Sequence, residues 1–291
     1  MDKPFANRMK TMNESSANPP IVLTFSALDP TGCGGIQADI ETASSLGCHC
    51  TPIVSALCAD ASRPEAALYP TDATIIIEQA RSILKGMAVK AIKIGFLGSA
   101  ANTEAVHSIL RDYQDLPVIS HPTLCLWDGQ SDDSADFAEA YSTLILPMSN
   151  VAIFSVYEAI EVSQESDTVS TAASAIVSSG CERTLITGTG KHTKAFQNSL
   201  YGEKGLIQHY PWEQEPPSDH GSNSTLTTSI AAYMAHGFDA QQAVEHGLNY
   251  TWQAMRASRD LGFKKRTPHR FYWADKNIPP PGELPVEKHS H

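Results

Sequence analysis

No apolar run in this 291-residue chain approaches the ~20 residues that a membrane-spanning helix needs. The opening stretch, MDKPFANRMKTMNESSANPP, lacks the apolar centre of an export signal. Both absences lead to the expectation of a cytoplasmic protein with no membrane partner. Positive charge is also short, with 21 Lys and Arg against 32 Asp and Glu and a formal net charge of -11. A nucleic-acid surface needs clustered Lys and Arg, so no nucleic-acid partner is expected. An anionic small molecule stays open, because backbone N–H groups can build its pocket. The six cysteines show no zinc-type spacing, and Cys48-His49-Cys50 has no second Cys/His pair nearby in sequence. They read as free thiols, buried or half-buried. With 42% hydrophobic and 18% charged residues, the chain is long enough and apolar enough for a well-buried core.

Short apolar runs without helical period alternate with helical patterns. IVLTFS (Ile21–Ser26) reads as a buried strand, followed by the Gly-rich ALDPTGCGG. A helix then places Ile36, Ile40, Ala43 and Leu46 on one face and stops at Gly47. Further strands are expected in TPIVSALCA, AIKIGFLG, LPVIS, NVAIF and RTLITG. Helices are expected over 72–85, 102–113 (capped by Asn102 or Thr103), 135–146 and 166–179. FQNSLYG and GLIQHYPW read as a β-hairpin turning at Gly202–Gly205, and helices over 224–236 and 240–256 close the pattern. This alternation predicts an α/β fold, a mostly parallel sheet with helices on both faces. Ligands of such sheets bind outside the carboxyl ends of the strands. There is no internal repeat.

The motif SALDPTGCGGIQAD resembles the signature loop of the hydroxymethylpyrimidine and phosphomethylpyrimidine kinases of thiamine biosynthesis, whose pattern is close to AGTDPSGGAGIQAD. The similarity continues through IVSALCA, IKIGFLGS, TLITGT, NSLYGE, HGSNSTLTTSIAA and YTWQAM, and spans roughly Ile21 to Ala274. The resemblance implies a ribokinase-like three-layer sandwich with a small β-hairpin flap. On this reading residues 1–19 are disordered, 20–275 form one domain, and 276–291 are a loose Pro-rich tail. It also implies a small pyrimidine as substrate, ATP and Mg as cofactors, and a homodimer.

Carried over by motif, the acceptor pocket includes Ala27, Gly34 and Asp39, with Asp60 where the family has a pyrimidine-binding Gln. An ionised Asp only accepts hydrogen bonds, where Gln also donates. Phe96 falls where the family sets a side chain against the ring. Asp39 reads equally as a helix acid that caps or pairs, and Phe96 equally as core. Thr187, Gly188 and Thr189 keep the loop near the nucleotide phosphates, with Lys191 and His192 beyond it. On the metal side, Glu158 remains, as a holder of the metal's waters or as decoration of a helix's first turn. His121 stands in place of an Asp that organises Mg, and Ser155 in place of an Asn. In the anion loop, His220, Gly221, Ser222, Asn223 and Ser224 replace HGTGC or HGSGC. Ser224 thus takes the position of the family's catalytic Cys, and it also reads as the N-cap of the following helix.

A Ser hydroxyl is a far weaker base than a thiolate unless a neighbour activates it. The substitutions therefore imply weak or altered kinase activity. Two alternatives stay open: an inactive kinase-like protein that binds a pyrimidine-like ligand or a partner protein, and a kinase for another hydroxymethyl heterocycle.

Overall fold

Strand β1 (Ile21–Leu28) shows how the sequence becomes layers: alternate side chains on a strand point to opposite faces. Val22 packs into one apolar core, while Leu23 and Phe25 pack into another. In the computed structural model the described residues are 18–59, 68–123, 132–163, 168–189, 196–213, 220–262 and 266–274.

Eight further strands complete the central sheet. They are β2 (His49–Cys58), β3 (Leu68–Pro70), β4 (Val89–Ile94), β5 (Val118–Ser120), β6 (Val151–Ser155), β7 (Arg183–Thr187), β8 (Phe196–Gly202) and β9 (Gly205–Trp212). Their spatial order is β3-β2-β1-β4-β5-β6-β7-β8-β9. All pairings from β2 through β7 are parallel. Strand β3 and the predicted hairpin β8–β9 are antiparallel. On one face lie α1 (Gly35–Ser45), α7 (Ser222–Ala235) and α8 (Ala240–Arg256), contributing Leu46, Ile230 and Val244 to the core with Val22. On the other lie α2 (Ala73–Gly86), α3 (Ala100–Asp112), α4 (Asp132–Ala140), α5 (Val156–Ser163) and α6 (Val169–Ser178). Val106 and Ile176 are among the residues they bury against Leu23 and Phe25. This is the predicted three-layer sandwich.

Several local expectations shift. Helix α3 starts two residues early because Ser99, not Asn102 or Thr103, caps it by accepting the Asn102 N–H. The helix expected over 135–146 is α-helical only to Ala140, then opens into a π turn (Tyr141–Ile145) and a 3₁₀ turn at Leu146–Met148. Pro147, which has no N–H, cannot continue the ladder. Helix α5 was foreshadowed only by the first-turn reading of Glu158, with no span expected, and α6 begins only at Val169, behind a Thr168–Thr171 capping box.

Beneath the carboxyl end of the sheet lies a buried charge pair. Lys93 on β4 sends its ammonium to both Asp39 oxygens, at 2.9 and 3.0 Å, and to Ser26 Oγ at 2.6 Å. Ser26 and Thr228 each donate to Asp39 at 2.7 Å. All three ammonium hydrogens are thereby satisfied, and the carboxylate accepts from three side chains. Gly95 makes room for it, since a Cβ there would sit 2.8 Å from Lys93 Nζ. Asp39→Asn removes the countercharge from a lysine that is 1% exposed, and is expected to cost about 3–5 kcal/mol. Thermal unfolding of wild type, Asp39→Asn, Lys93→Met and the double variant measures this; a loss below ~1 kcal/mol for the single Asn variant is incompatible with the pair carrying that weight.

Candidate active site

The carboxyl ends of β1, β5, β6 and β7 carry the residues that the motifs singled out. Two loops there face each other: the Gly-rich turn between β1 and α1, and the segment that opens α7. Asp29 organises the first. Its carboxylate accepts from Thr31 N at 2.9 Å, from Thr31 Oγ1 at 2.7 Å and from Gly34 N at 2.8 Å. His220 Nε2 joins from the second loop at 2.9 Å. Burial pushes the Asp29 carboxyl up, but the hydrogen bonds from His220, Thr31 and Gly34 outweigh it and hold it well below the usual carboxylate range. Asp29 is therefore ionised and can only accept, which fixes the hydrogen on His220 Nε2.

Gly221 lets the loops meet. Its φ of +103° suits glycine, and a Cβ there would overlap the Cys33 carbonyl oxygen. Arg270, 2% exposed, locks the contact. Its guanidinium donates to the Cys33 carbonyl, to Thr225 Oγ1 at 3.0 Å and to Glu41 Oε2 at 2.9 Å. Its own carbonyl accepts from Ser45 Oγ at 2.6 Å and Tyr250 Oη at 2.7 Å. One arginine thus ties the Gly-rich turn, α1, α7 and α8 together.

The expected N-cap role of Ser224 is not what the structure has. Helix α7 starts at Ser222, with Gly221 as its N-cap, so Ser224 stands in the first turn. Its hydroxyl accepts from Gly35 N at 3.3 Å. Among the described residues, no His, Asp or Glu side chain bonds that hydroxyl. The N-cap Gly221 has no side chain with which to cap α7, and Ser222, Asn223 and Ser224 in the first turn are all part-exposed.

The remaining predicted residues divide. Ala27 and Gly34 lie in the Gly-rich turn region beside these groups, both buried. Asp39 is 0% exposed and fully committed to Lys93, Ser26 and Thr228, so the structure removes it from ligand contact and gives it the pairing role. Phe96 is likewise core: 2% exposed, with its ring 5.5 Å from that of Phe137. Thr187, Gly188 and Thr189 leave the end of β7 and are fastened to β8. Gly188 N donates to Asn198 Oδ1 at 3.3 Å, Thr189 N to the Gln197 carbonyl at 2.8 Å, and Thr189 Oγ1 meets Ser199 Oγ at 2.7 Å. Asp60, Lys191 and His192 lie outside the described residues.

Glu158 sits at the start of α5, 3% exposed. Its Oε2 accepts from Ser155 N and Ser155 Oγ, both at 2.9 Å, and lies 3.4 Å from His121 Nε2. The other imidazole nitrogen, Nδ1, meets Thr123 Oγ1 at 2.8 Å. Burial pushes the Glu158 carboxyl up, but His121 and the two Ser155 bonds outweigh it, leaving it at about 2. His121, Ser155 and Glu158 do come together, then, though the 3.4 Å approach leaves His121 Nε2 without a hydrogen-bond partner among the described residues. Magnesium prefers several oxygen ligands in octahedral array. Here the candidate carboxylate oxygen is already shared among three groups, and one neighbour is an imidazole. Among the described residues no three His, Cys, Asp or Glu side chains gather to hold a metal ion. The residues do not fit a magnesium held by the protein.

Sequence reasoning missed Asp29, Arg270 and Lys93. Asp29 stood inside the quoted motif and was passed over for the glycines around it. Arg270 carries no local signal, because the partners of its guanidinium are 45 to 237 positions away.

A family model described as phosphomethylpyrimidine kinase matches residues 29–269. A hydroxymethylpyrimidine/phosphomethylpyrimidine kinase of Streptomyces coelicolor is 30% identical over 253 residues, 84% of this chain and 91% of that protein. One of the same description from Rhizobium meliloti is 25% identical over 88% of this chain and 99% of that protein. Among solved structures, the ADP complex of Bacillus subtilis pyridoxal kinase superposes with a TM-score of 0.80 at 22% identity, covering 88% of this chain and 99% of that one. A phosphomethylpyrimidine kinase from Clostridium difficile gives 0.68 at 21% identity, covering 81% and 99%.

The Glu158 set makes a prediction about acid stability. Its carboxyl has an ordinary value of 4.5 and is lowered to about 2, so the set stabilises the fold above pH 4.5 and that gain is lost as pH falls through about 2. Glu158→Gln is expected to cost roughly 3 kcal/mol at neutral pH. The deficit against wild type should shrink between pH 4.5 and about 2. Urea unfolding of both proteins across that range reads it; a deficit that does not change with pH contradicts the assignment.

Proposed function

Because the chain belongs to the phosphomethylpyrimidine kinase family, we propose that it transfers the terminal phosphoryl group of ATP to the hydroxymethyl group of a small pyrimidine, or to the phosphate of the resulting monophosphate, in thiamine biosynthesis. The observation that carries this reading is the facing pair of loops. The Gly-rich turn is shaped by Asp29, and the N-terminus of α7, uncapped by any side chain, lies beside it. Phosphoryl transfer asks mainly for positioning and charge stabilisation, and the N-terminus of a helix favours a phosphate. Relatives that bear the same kinase name at up to 30% identity, and structural neighbours solved with ADP or with AMP-PCP, support ATP as donor.

In the reaction the acceptor oxygen forms a bond to the terminal phosphorus while the bond from that phosphorus to the ADP oxygen breaks. The chain's own contribution is to hold the two reactants between the Gly-rich turn and α7. With no magnesium site among the described residues and a Ser in the place of the thiol, turnover is expected below the ~1–100 per second ordinary for kinases. The apolar side chains of Leu57 and Tyr69, 48% and 61% exposed at the β2–β3 edge, support the homodimer that the family resemblance implies; light scattering of the purified chain should then give about twice the monomer mass. We place the protein in the cytoplasm; no helix among the described residues is long and apolar enough to cross a membrane.

The deciding assay follows ADP release from ATP and magnesium with hydroxymethylpyrimidine or its monophosphate, using protein from a host that lacks its own pyrimidine kinase. Slow but pyrimidine-dependent ADP release is expected. Pyrimidine binding by calorimetry without any ADP would overturn the kinase reading in favour of a ligand-binding protein.

A further inference from the structure

We propose that His220, oriented by Asp29, is the group that takes the proton from the acceptor hydroxyl, in place of Ser224. This rests on the kinase reading above. Three observations carry it. First, the two residues form a carboxylate–imidazole dyad, 2.9 Å apart, across the junction of the two loops. A carboxylate that fixes one ring nitrogen and leaves the other to exchange protons is the arrangement general-base catalysis needs. Second, the dyad is placed at the reaction locus. His220 immediately precedes Gly221 and the start of α7, and its Nε2 would lie 3.5 Å from a Cβ built on Gly34. Its side chain is 36% exposed, so a substrate can reach it, while that of Asp29 is 16% exposed. Third, among the described residues no base stands on Ser224 to activate it. Its hydroxyl is engaged by a backbone N–H, Gly35 N, and serves as an acceptor.

The chemistry balances without a further reagent. Nε2 keeps its hydrogen toward Asp29, so Nδ1 holds the lone pair. As the acceptor oxygen bonds to phosphorus and ADP departs, the hydroxyl proton moves to His220 Nδ1. The imidazolium so formed is stabilised by Asp29 and returns the proton to water. Asp29 is a positioning residue here, since it acts through His220.

Among the described residues the charged neighbours are few. Asp29 faces the imidazole from the β1–α1 turn. Behind Gly221 lies Arg270, paired to Glu41 of α1. The Arg266 carbonyl accepts from His220 N, while its guanidinium turns away to Ser258. The acidic limb of the rate profile should therefore follow His220 and depend on Asp29.

The test measures pyrimidine-dependent ADP release from pH 5.5 to 8.5 for wild type, His220→Gln, Asp29→Asn and Ser224→Ala, together with the imidazole C–H titration of His220 by NMR. Wild-type kcat is expected to rise with pH through one ionisation that coincides with the His220 titration. His220→Gln should lose that limb and about 10²–10⁴-fold in kcat, with the pyrimidine KM changed less than about threefold. Asp29→Asn removes the negative partner, so both the limb and the NMR titration should move to lower pH. Ser224→Ala should keep the limb and lose less than about tenfold. A wild-type enzyme that turns over while His220→Gln matches it within threefold, or keeps the acidic limb, overturns the assignment and leaves the kinase reading intact. Loss of the limb in Ser224→Ala overturns it too. A wild-type protein that makes no ADP at any pH sinks the kinase reading and this assignment together.

Discussion

The arrangement of the two loops depends on a buried ion pair. Lys93 and Asp39 sit in the low-dielectric interior, where either charge alone is expensive and the two together, fully hydrogen-bonded, are tolerable. Their partners come from four different elements: Ser26 from β1, Asp39 from α1, Lys93 from β4 and Thr228 from α7. A shift of any one of these elements would leave a buried charge short of a partner. The pair consequently fixes where α1 and α7 begin relative to the carboxyl ends of β1 and β4. Those helix starts are what bring Gly34 and Gly221 into contact.

Much of this was legible beforehand, for identifiable reasons. Strands such as Ile21–Leu28 and Val151–Ser155 announce themselves because burial on both faces demands unbroken apolar runs. The β8–β9 hairpin was readable from Gly202 and Gly205 at its turn. Helix α5 was not, because its eight residues follow β6 without a break, and Ser155 ends the strand while also bonding Glu158 of the helix. The Ser224 position shows a different limit. A Ser before an apolar helical run looks like a cap, but the close approach of Cys33 requires a glycine three residues earlier, and that glycine takes the cap position. Asp39 and Phe96 were weighed between ligand and core, and only three-dimensional partners could decide for the core. Asp39 pairs with a residue 54 positions away.

Two sets of polar groups line the carboxyl edge, and they are opposite in kind. In the His121–Glu158–Ser155 set acid and imidazole are both buried; Ser155 holds Glu158 Oε2, while His121 Nε2, 3.4 Å from that oxygen, has no hydrogen-bond partner among the described residues. The Asp29–His220 set is half-open, with a half-buried carboxylate behind an imidazole that water can reach. The same two residue types, acid and histidine, thus serve stability in one loop pair and remain available for chemistry in the other. Exposure alone separates them.

Arg270 gives the molecule a timetable. Every strand of the central sheet lies before residue 213, and so does the Gly-rich turn. The guanidinium that clamps this turn against α7 comes 58 positions after the last of those strands ends at Trp212. A chain emerging from the ribosome can therefore assemble its sheet, and most of both cores, while the two loops are still unfastened. The face where the two loops meet is fastened by one of the last described residues to be synthesised, so a nascent chain would be folded in its interior and open at its rim.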